Sequence, residues 1–419
     1  MKKQEENESL LGPLRVLDLT DEKGFLCGRV LGDLGADVIK VERPGGDSSR
    51  NIGPFYHDNP DPEKSLYWFA FNANKRGITL DIASADGREI FRRLVEHADF
   101  VIESFPPGYM DGLGLGYSAL SKLNPQVVMV SITPFGQTGP YAGYKTSDIV
   151  ATAMGGLAYI TGQADRAPVR LGGSQAYVNA GIQGALGALT AHYHRGVAGG
   201  GQWVDVSIQE SVVRTLLNAL VYWDLGKRNV RRAAPYRLIS GIAWQRLVWR
   251  CQDGYVSFSF WGGAVGAPGN RALVEWMDSQ GAAPDFLRDI DWQSFDMSTV
   301  TQDELDRISE PISRFFEMHT MAELYREALE RRIMLYPVQT MKEVAADAQL
   351  EARGFWTEVV HPESGSSITY PGAFVKLADS PIRIRCRAPL IGEHNEEIYY
   401  RELGMSEADM DNLKKAGVI

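Results

Sequence analysis

The sequence predicts an α/β protein. Leu14–Leu19 is a short apolar strand, a glycine-punctuated helix follows, and Ala36–Glu42 is a second strand ending on an acid. The alternation then recurs. A helix over 86–97 carries Ile90, Phe91, Leu94 and Val95 on one face, and strands follow over 99–103 and 126–131. At 419 residues the chain exceeds one ordinary domain, so two are expected.

The opening strand–helix–strand has the outline of a dinucleotide-binding unit. Its glycines, Gly24, Gly28, Gly32 and Gly35, do not have the GxGxxG spacing, which disfavours a nicotinamide cofactor. Tyr67–Asp81 runs from aromatic to polar to strand-like. From Ala176 to His194 there is no proline, and good helix formers recur. Gly181, Gly184 and Gly187 fall every third residue along this helix; glycine weakens a helix, so the strip implies close approach of another backbone. Gly199-Gly200-Gly201 ends the helix, and Trp203–Ile208 alternates like a half-buried strand. A helix over 211–226 leads to a basic linker at 227–237. A smaller unit over 238–335 has strands at 242–251 and 255–260, a flexible glycine-rich stretch at 261–269, and acidic, leucine-rich helices over 303–332.

Composition narrows the function classes. Hydrophobic content of 44% and a charged fraction of 23% are those of a globular protein, and a net charge of −10 disfavours nucleic acid as the main partner. No apolar run reaches the roughly 20 residues that span a bilayer. Residues 1–11 read as a charged N-terminal tail, not as a signal peptide. Cys27, Cys251 and Cys386 stand far apart without CxxC spacing, which argues against zinc or disulfides and fits a reduced cytoplasmic setting. No metal site is expected; His192 and His194 are two residues apart on a helix and point to different faces. There is no GxSxG, HExxH or Walker loop.

An ordered series of motifs says more. Leu34–Asp47 with Arg43, the run Asn72-Ala73-Asn74-Lys75-Arg76, the loop Glu103–Gly114 with Phe105, and Phe135–Tyr141 come in that order. Lys145, the helix with His194-Arg195, Ala352–Trp356 and Pro389–His394 then follow. The series resembles the class III CoA-transferases, the family that includes carnitine and formyl-CoA transferases and α-methylacyl-CoA racemases. The resemblance implies a Rossmann-like large domain formed by both chain ends (12–226 and 336–419), a smaller middle domain, and an interlocked dimer. It implies CoA and acyl-CoA as substrates, and no bound cofactor. Arg43, Asn74, Lys75, Phe105 and Lys145 would contact CoA, adjacent lysine and arginine suiting phosphate. The glycine-rich stretch at 261–269 would close over the reaction intermediate, with a plain linker as the other reading.

The family's chemistry is covalent: an aspartate attacks the acyl-CoA and passes through an anhydride and a CoA thioester. That aspartate lies four residues ahead of a helix glycine, and counting back from Gly181 puts its position at Tyr177. No Asp or Glu lies between Asp165 and Asp205, so no catalytic residue is assigned. Other departures accompany this one. Asp21-Glu22-Lys23-Gly24-Phe25 replaces a small-residue turn, Ser104 replaces an asparagine, and Gly112 replaces an arginine that meets the CoA phosphates. Ser147 stands where the racemase branch has histidine, which argues against racemisation.

Three readings follow from the resemblance. The chain is a nucleophile-lacking subunit of a two-chain transferase, paired with a homologous chain that carries the aspartate. The branch with this pattern moves CoA from succinyl-CoA to benzylsuccinate in anaerobic toluene degradation. Alternatively it is a homodimeric transferase with an atypical active site, or a non-enzymatic acyl-CoA-binding protein.

Overall fold

A computed structural model describes residues 9–239 and 243–419. Most of the expected tail, residues 1–8, and Ile242 of an expected strand lie outside the described residues. Leu11, the end of that expected tail, is instead buried and donates its N–H to the Leu34 carbonyl. The chain forms two units, one of residues up to 159 with 170–229 and 351–419, the other of 160–169 with 230–350.

The first unit is built on β1 (Arg15–Leu19), α1 (Phe25–Asp33), β2 (Asp37–Glu42), α2 (Leu66–Asn72), β3 (Lys75–Thr79), α3 (Ala85–Val95) and β4 (Phe100–Glu103). After these come α4 (Tyr109–Gly112), α5 (Tyr117–Leu123), β5 (Val128–Thr133), α6 (Asp148–Met154), α7 (Gln175–Ala198) and β6 (Trp203–Ser207). All six strands run parallel in the order β3-β2-β1-β4-β5-β6. Strand order reverses between β1 and β4, and loops leaving the carboxyl ends at such a point form a crevice suited to ligands.

Alternation along the strands makes two cores. Leu17, Ile39, Val101 and Met129 face Ile90, Phe91, Leu94 and Val95 of α3, so the apolar face expected for that helix is the buried one. Val16, Val38, Phe100, Ile102 and Val130 face Cys27 and Leu31 of α1 and Ala180, Ala185 and Ala188 of α7. The glycine strip of α7 is what allows this packing. A Cβ at Gly181 would lie 2.8 Å from the Leu26 Cβ, one at Gly184 2.9 Å from Ile132 Cδ1, and one at Gly187 2.7 Å from Val204 Cγ1. Gly199, with φ 84°, ends α7.

The helix expected over 211–226 is two, α8 (Ile208–Arg214) and α9 (Leu217–Gly226). The Thr215 hydroxyl donates to the Val212 carbonyl at 2.7 Å, a local bond that competes with helix continuation.

The second unit contains β7 (Tyr236–Ile239), β8 (Ala243–Arg246), β9 (Val248–Arg250), β10 (Tyr255–Phe258), α10 (Gly263–Ser279) and α11 (Asp285–Arg288). It continues with α12 (Gln302–Glu317), α13 (Met321–Arg331) and β11 (Leu335–Pro337). Trp249, Phe258, Trp276, Phe315 and Phe316 fill its core. The stretch expected to be flexible at 261–269 is helical from Gly263. Gly266 belongs to that packing, since a Cβ there would sit 2.0 Å from the Trp261 carbonyl oxygen. The unit is also larger than the expected 238–335. Residues 160–169 join it because Ala234 N–H reaches the Gly162 carbonyl and the Arg232 guanidinium reaches those of Gln163 and Arg166.

The chain then returns to the first unit through the hairpin β12 (Trp356–His361) and β13 (Ser366–Pro371). Asn74, in the left-handed region at φ 62°, holds this return. Its side-chain oxygen accepts from the backbone N–H of Arg385 (2.6 Å) and of Cys386 (3.2 Å). Its Nδ2 donates to Asp33 Oδ1 at 2.6 Å and to the Arg383 carbonyl at 3.0 Å. His394, expected on a surface turn, accepts the Gly77 N–H at Nδ1 (3.0 Å) and so binds the edge strand β3.

Candidate functional site

The turn after β1, the loop after β4 and the start of α7 bring together residues far apart in sequence. Tyr177 lies in the first turn of α7 and is 8% exposed. The first N–H groups of a helix lack partners within it. Here Asp148, the first residue of α6, supplies one: its Oδ1 accepts from Ala176 N–H at 2.9 Å and Tyr177 N–H at 3.4 Å. Burial, then the charges of Glu22, Asp21 and Asp148 and the neighbouring Tyr67 phenol, push the Tyr177 phenol above its ordinary range. Burial and the Glu22 charge likewise push Tyr67 up to about 12, against a hydrogen bond with Ser174 that pulls the other way. Both phenols are therefore neutral at physiological pH, and neither serves as an anionic nucleophile.

Three carboxylates thus act on a position that has no acid near it in sequence. The local bonding explains why they stay there. Asp21 N–H donates to Ser104 Oγ (2.9 Å), and the Ser104 hydroxyl donates back to Asp21 Oδ1 (2.8 Å). Lys23 forms an ion pair with the same carboxylate, and Glu22 Oε2 accepts from the Ser49 hydroxyl at 2.7 Å. Two departures from the family pattern, the acidic turn and Ser104, are therefore one interaction. The sequence displayed both substitutions but not their contact, which depends on β1 and β4 being neighbours.

The residues expected to meet CoA divide into two groups. Lys75 is 1% exposed, and its ammonium donates to Asp18 Oδ2 (2.7 Å), the Phe25 carbonyl (3.0 Å) and Asn72 Oδ1 (2.9 Å). All three protons are used inside the fold. Asn74 is spent holding the C-terminal return, as described above. Lys40 lies beside Asp18 as well, donating to the Asp18 carbonyl at 3.3 Å and to that of Thr20. These groups form a buried structural cluster, because a buried carboxylate persists only when paired. Arg43 and Lys145 are exposed and Phe105 is half-buried, packed on Tyr109 with ring centres 4.8 Å apart. Arg43 Nε also donates to the Gly46 carbonyl at 3.3 Å. Around Gly112 the space is open: a Cβ built there meets nothing within 4 Å.

The helix histidines do not converge. His192 Nδ1 lies 2.7 Å from Arg195 Nη2, while His194 is exposed. Among the described residues no group of three His, Cys, Asp or Glu side chains could hold a metal ion, and no helix is long and apolar enough to cross a membrane.

Comparison with known proteins agrees with this architecture. The chain is 34% identical to the succinyl-CoA:(R)-benzylsuccinate CoA-transferase subunit BbsE of Thauera aromatica over 411 residues, covering 97% of each chain. It is 32% identical to a formyl-CoA:oxalate CoA-transferase of Streptomyces coelicolor, covering 97% of this chain and 98% of that one. A crystal structure of a CAIB/BAIF family protein from Brucella suis superposes with a TM-score of 0.80 at 29% identity, over 93% of this chain and 98% of that one. The model of CoA-transferase family III matches residues 11–395, and with these relatives it establishes that the chain belongs to that family.

Proposed function

We propose that this chain is the nucleophile-lacking subunit of a two-chain class III CoA-transferase that moves CoA from succinyl-CoA to an organic acid such as benzylsuccinate. The observation that carries the reading is Tyr177: a buried, neutral phenol on the first turn of α7, at the position where the resemblance expects aspartate. A homologous partner then supplies the aspartate that forms the anhydride and the CoA thioester. This chain supplies shape. The similarity to the Thauera protein, a subunit of a benzylsuccinate CoA-transferase, supports both the pairing and the acid.

A partner chain also suits the surface. Leu217, Leu220, Val221, Tyr222, Trp223 and Leu225 of α9 are each at least half exposed, and no residue of that helix is buried. An apolar surface of this kind marks an association site more often than a solvated face. Interlocking of the two chains, each threaded through the other, is part of the proposal. Arg43, Phe105 and Lys145 are the accessible residues through which this chain would touch CoA. Its workplace is proposed to be the cytoplasm.

One observation favours a second reading, a homodimeric transferase with an unusual nucleophile: the charges of Asp21, Glu22 and Asp148 all act on Tyr177. Asp21 and Asp148 are tied to Ser104 and to the α7 N-terminus, and Glu22 to Ser49. One experiment separates the readings. The chain is purified alone and co-expressed with a homologous aspartate-bearing chain, and each preparation is assayed with succinyl-CoA and benzylsuccinate. Activity confined to the pair, and abolished by replacing the partner's aspartate, supports the silent-subunit reading. Turnover by the single chain refutes it.

A further inference from the structure

The loop after β4 also closes a cavity on the sheet face that carries Val101 and Met129, opposite α7. The cavity measures about 160 Å³ and is lined by Glu103, Asp111, Tyr117, Met129, Ser131 and Trp203, among others. An apolar cavity of about 150 Å³ takes up a molecule the size of benzene, so this space suits a small organic ligand.

Glu103 identifies the ligand's charge. It is 3% exposed; Oε2 accepts the Phe105 N–H at 2.7 Å, and the Ser131 hydroxyl bonds the same carboxylate. Ser131 Oγ accepts from Trp203 Nε1 at 2.9 Å, which leaves its own hydroxyl proton free to be donated. A carboxylate offers about four lone-pair directions, so acceptor capacity remains after these two bonds. The charged groups that act most strongly on Glu103 are two more acids, Asp111 of α4 and Asp205 of β6. Burial, followed by the pull of Ser131 and Phe105 the other way and the push of those acids, leaves the Glu103 carboxyl raised to about 7. A buried carboxylate with further acids acting on it is costly unless it takes up a proton or a cation pairs with it, and above about pH 7 only the cation is left.

The rest of the lining says which kind of cation. Tyr117 donates its hydroxyl proton to the Gly201 carbonyl at 2.9 Å, and Trp203 is bonded to Ser131, so the polar ends of both rings are committed. Rings of this kind, with the Met129 thioether, receive the carbon atoms of a cationic ligand by dispersion and by cation–π attraction. A metal ion fits poorly, since no trio of metal-binding side chains exists among the described residues.

We propose that this cavity binds a small primary ammonium compound, its ammonium on Glu103 and its alkyl chain against Met129, Tyr117 and Trp203. The site goes beyond the transferase reading and takes a ligand of opposite charge to an acid acceptor or CoA.

Titration calorimetry of the full chain with n-butylammonium tests it, with n-butanol as the neutral probe of the same size. Measurement at about pH 8 keeps the Glu103 carboxyl mostly ionised. The expected result is saturable butylammonium binding, with butanol and the Glu103→Gln variant each weaker by about tenfold or more, as the loss of a charge-assisted hydrogen bond implies. Asp111→Asn, at an exposed position that does not threaten folding, should weaken butylammonium by about threefold through lost Coulomb attraction. It decides the matter if Glu103→Gln fails to fold. No saturable heat, equal affinity for butanol, or binding unchanged in the folded variants overturns the proposal.

Discussion

Replacing Tyr177 with aspartate puts into α7 the residue type that the family chemistry needs, yet the surroundings argue that this change alone does not create a working nucleophile. The new carboxylate would occupy the turn already capped by Asp148 and face Glu22 and Asp21. Like charges at close range repel by a few kcal/mol at an effective dielectric constant near 20, and about 3 kcal/mol of repulsion raises a carboxyl by about two pH units. Removing a ring that is 8% exposed costs about a further 3 kcal/mol, as for other large-to-small changes in a core.

The two terms can be told apart by pH. The introduced acid would have a folded-state pKa above its unfolded value, so the native state holds the proton longer than the unfolded chain does. Stability then falls as pH rises from about 4 to about 6, and the deficit is full above that. A thermal melt of Tyr177→Asp should therefore lie about 6 °C below wild type at about pH 4 and lower still at about pH 7.5, taking about 2 °C per kcal/mol for a unit of this size. Transferase activity from the single chain should stay at background. Full activity refutes the electrostatic argument. A melt within about 1 °C of wild type at both pH values refutes the claim that the ring is part of the core.

Three further predictions follow from neighbouring sites. Lys75→Met leaves Asp18 buried beside Lys40 with its closest partner gone, and urea unfolding should show a loss of about 3–5 kcal/mol; a loss below about 1 kcal/mol would show that Lys75 is not the structural cation of this cluster. Gly112→Arg meets open space, so stability should change by less than about 0.5 kcal/mol, while the added guanidinium should tighten CoA binding in a salt-sensitive way; affinity unchanged at low salt would count against a CoA phosphate near α4. Glu103 carries a pH signature of its own. Its carboxyl is raised from 4.5 to about 7, so the native state binds more protons than the unfolded chain between those values, and stability falls as pH rises through that window. The integrated loss is at most about 3.4 kcal/mol, and it should be absent in Glu103→Gln; parallel stability curves for the two proteins from about pH 4.5 to about pH 7 would show that the carboxyl is not perturbed.

What could be read from the sequence follows the range of the forces involved. Strand and helix identity depends on residues within about ten positions of one another, so the six strands, the buried face of α3 and the glycine strip of α7 were legible from periodicity. Loops whose conformation is fixed by tertiary packing were not. Gly262 looks like a flexible residue until the Phe295 carbonyl, more than thirty positions away, is placed against it. Lys75 shows the same limit in the site. A lysine that binds phosphate and one that neutralises a buried carboxylate are the same in sequence, and only the position of β1, which brings Asp18 to 2.7 Å, decides between them. Tyr177 could be singled out as standing where the resemblance expects an acid, because the count from Gly181 that the resemblance supplies is local. The acids around it were not, since Asp21, Glu22 and Asp148 arrive through strand order and the packing of α6. The departures at Asp21 and Ser104, read singly, look like two lost functions. Their reciprocal hydrogen bonds make them one substitution in two places, which predicts that changing either residue alone to the family type is more disruptive than changing both together.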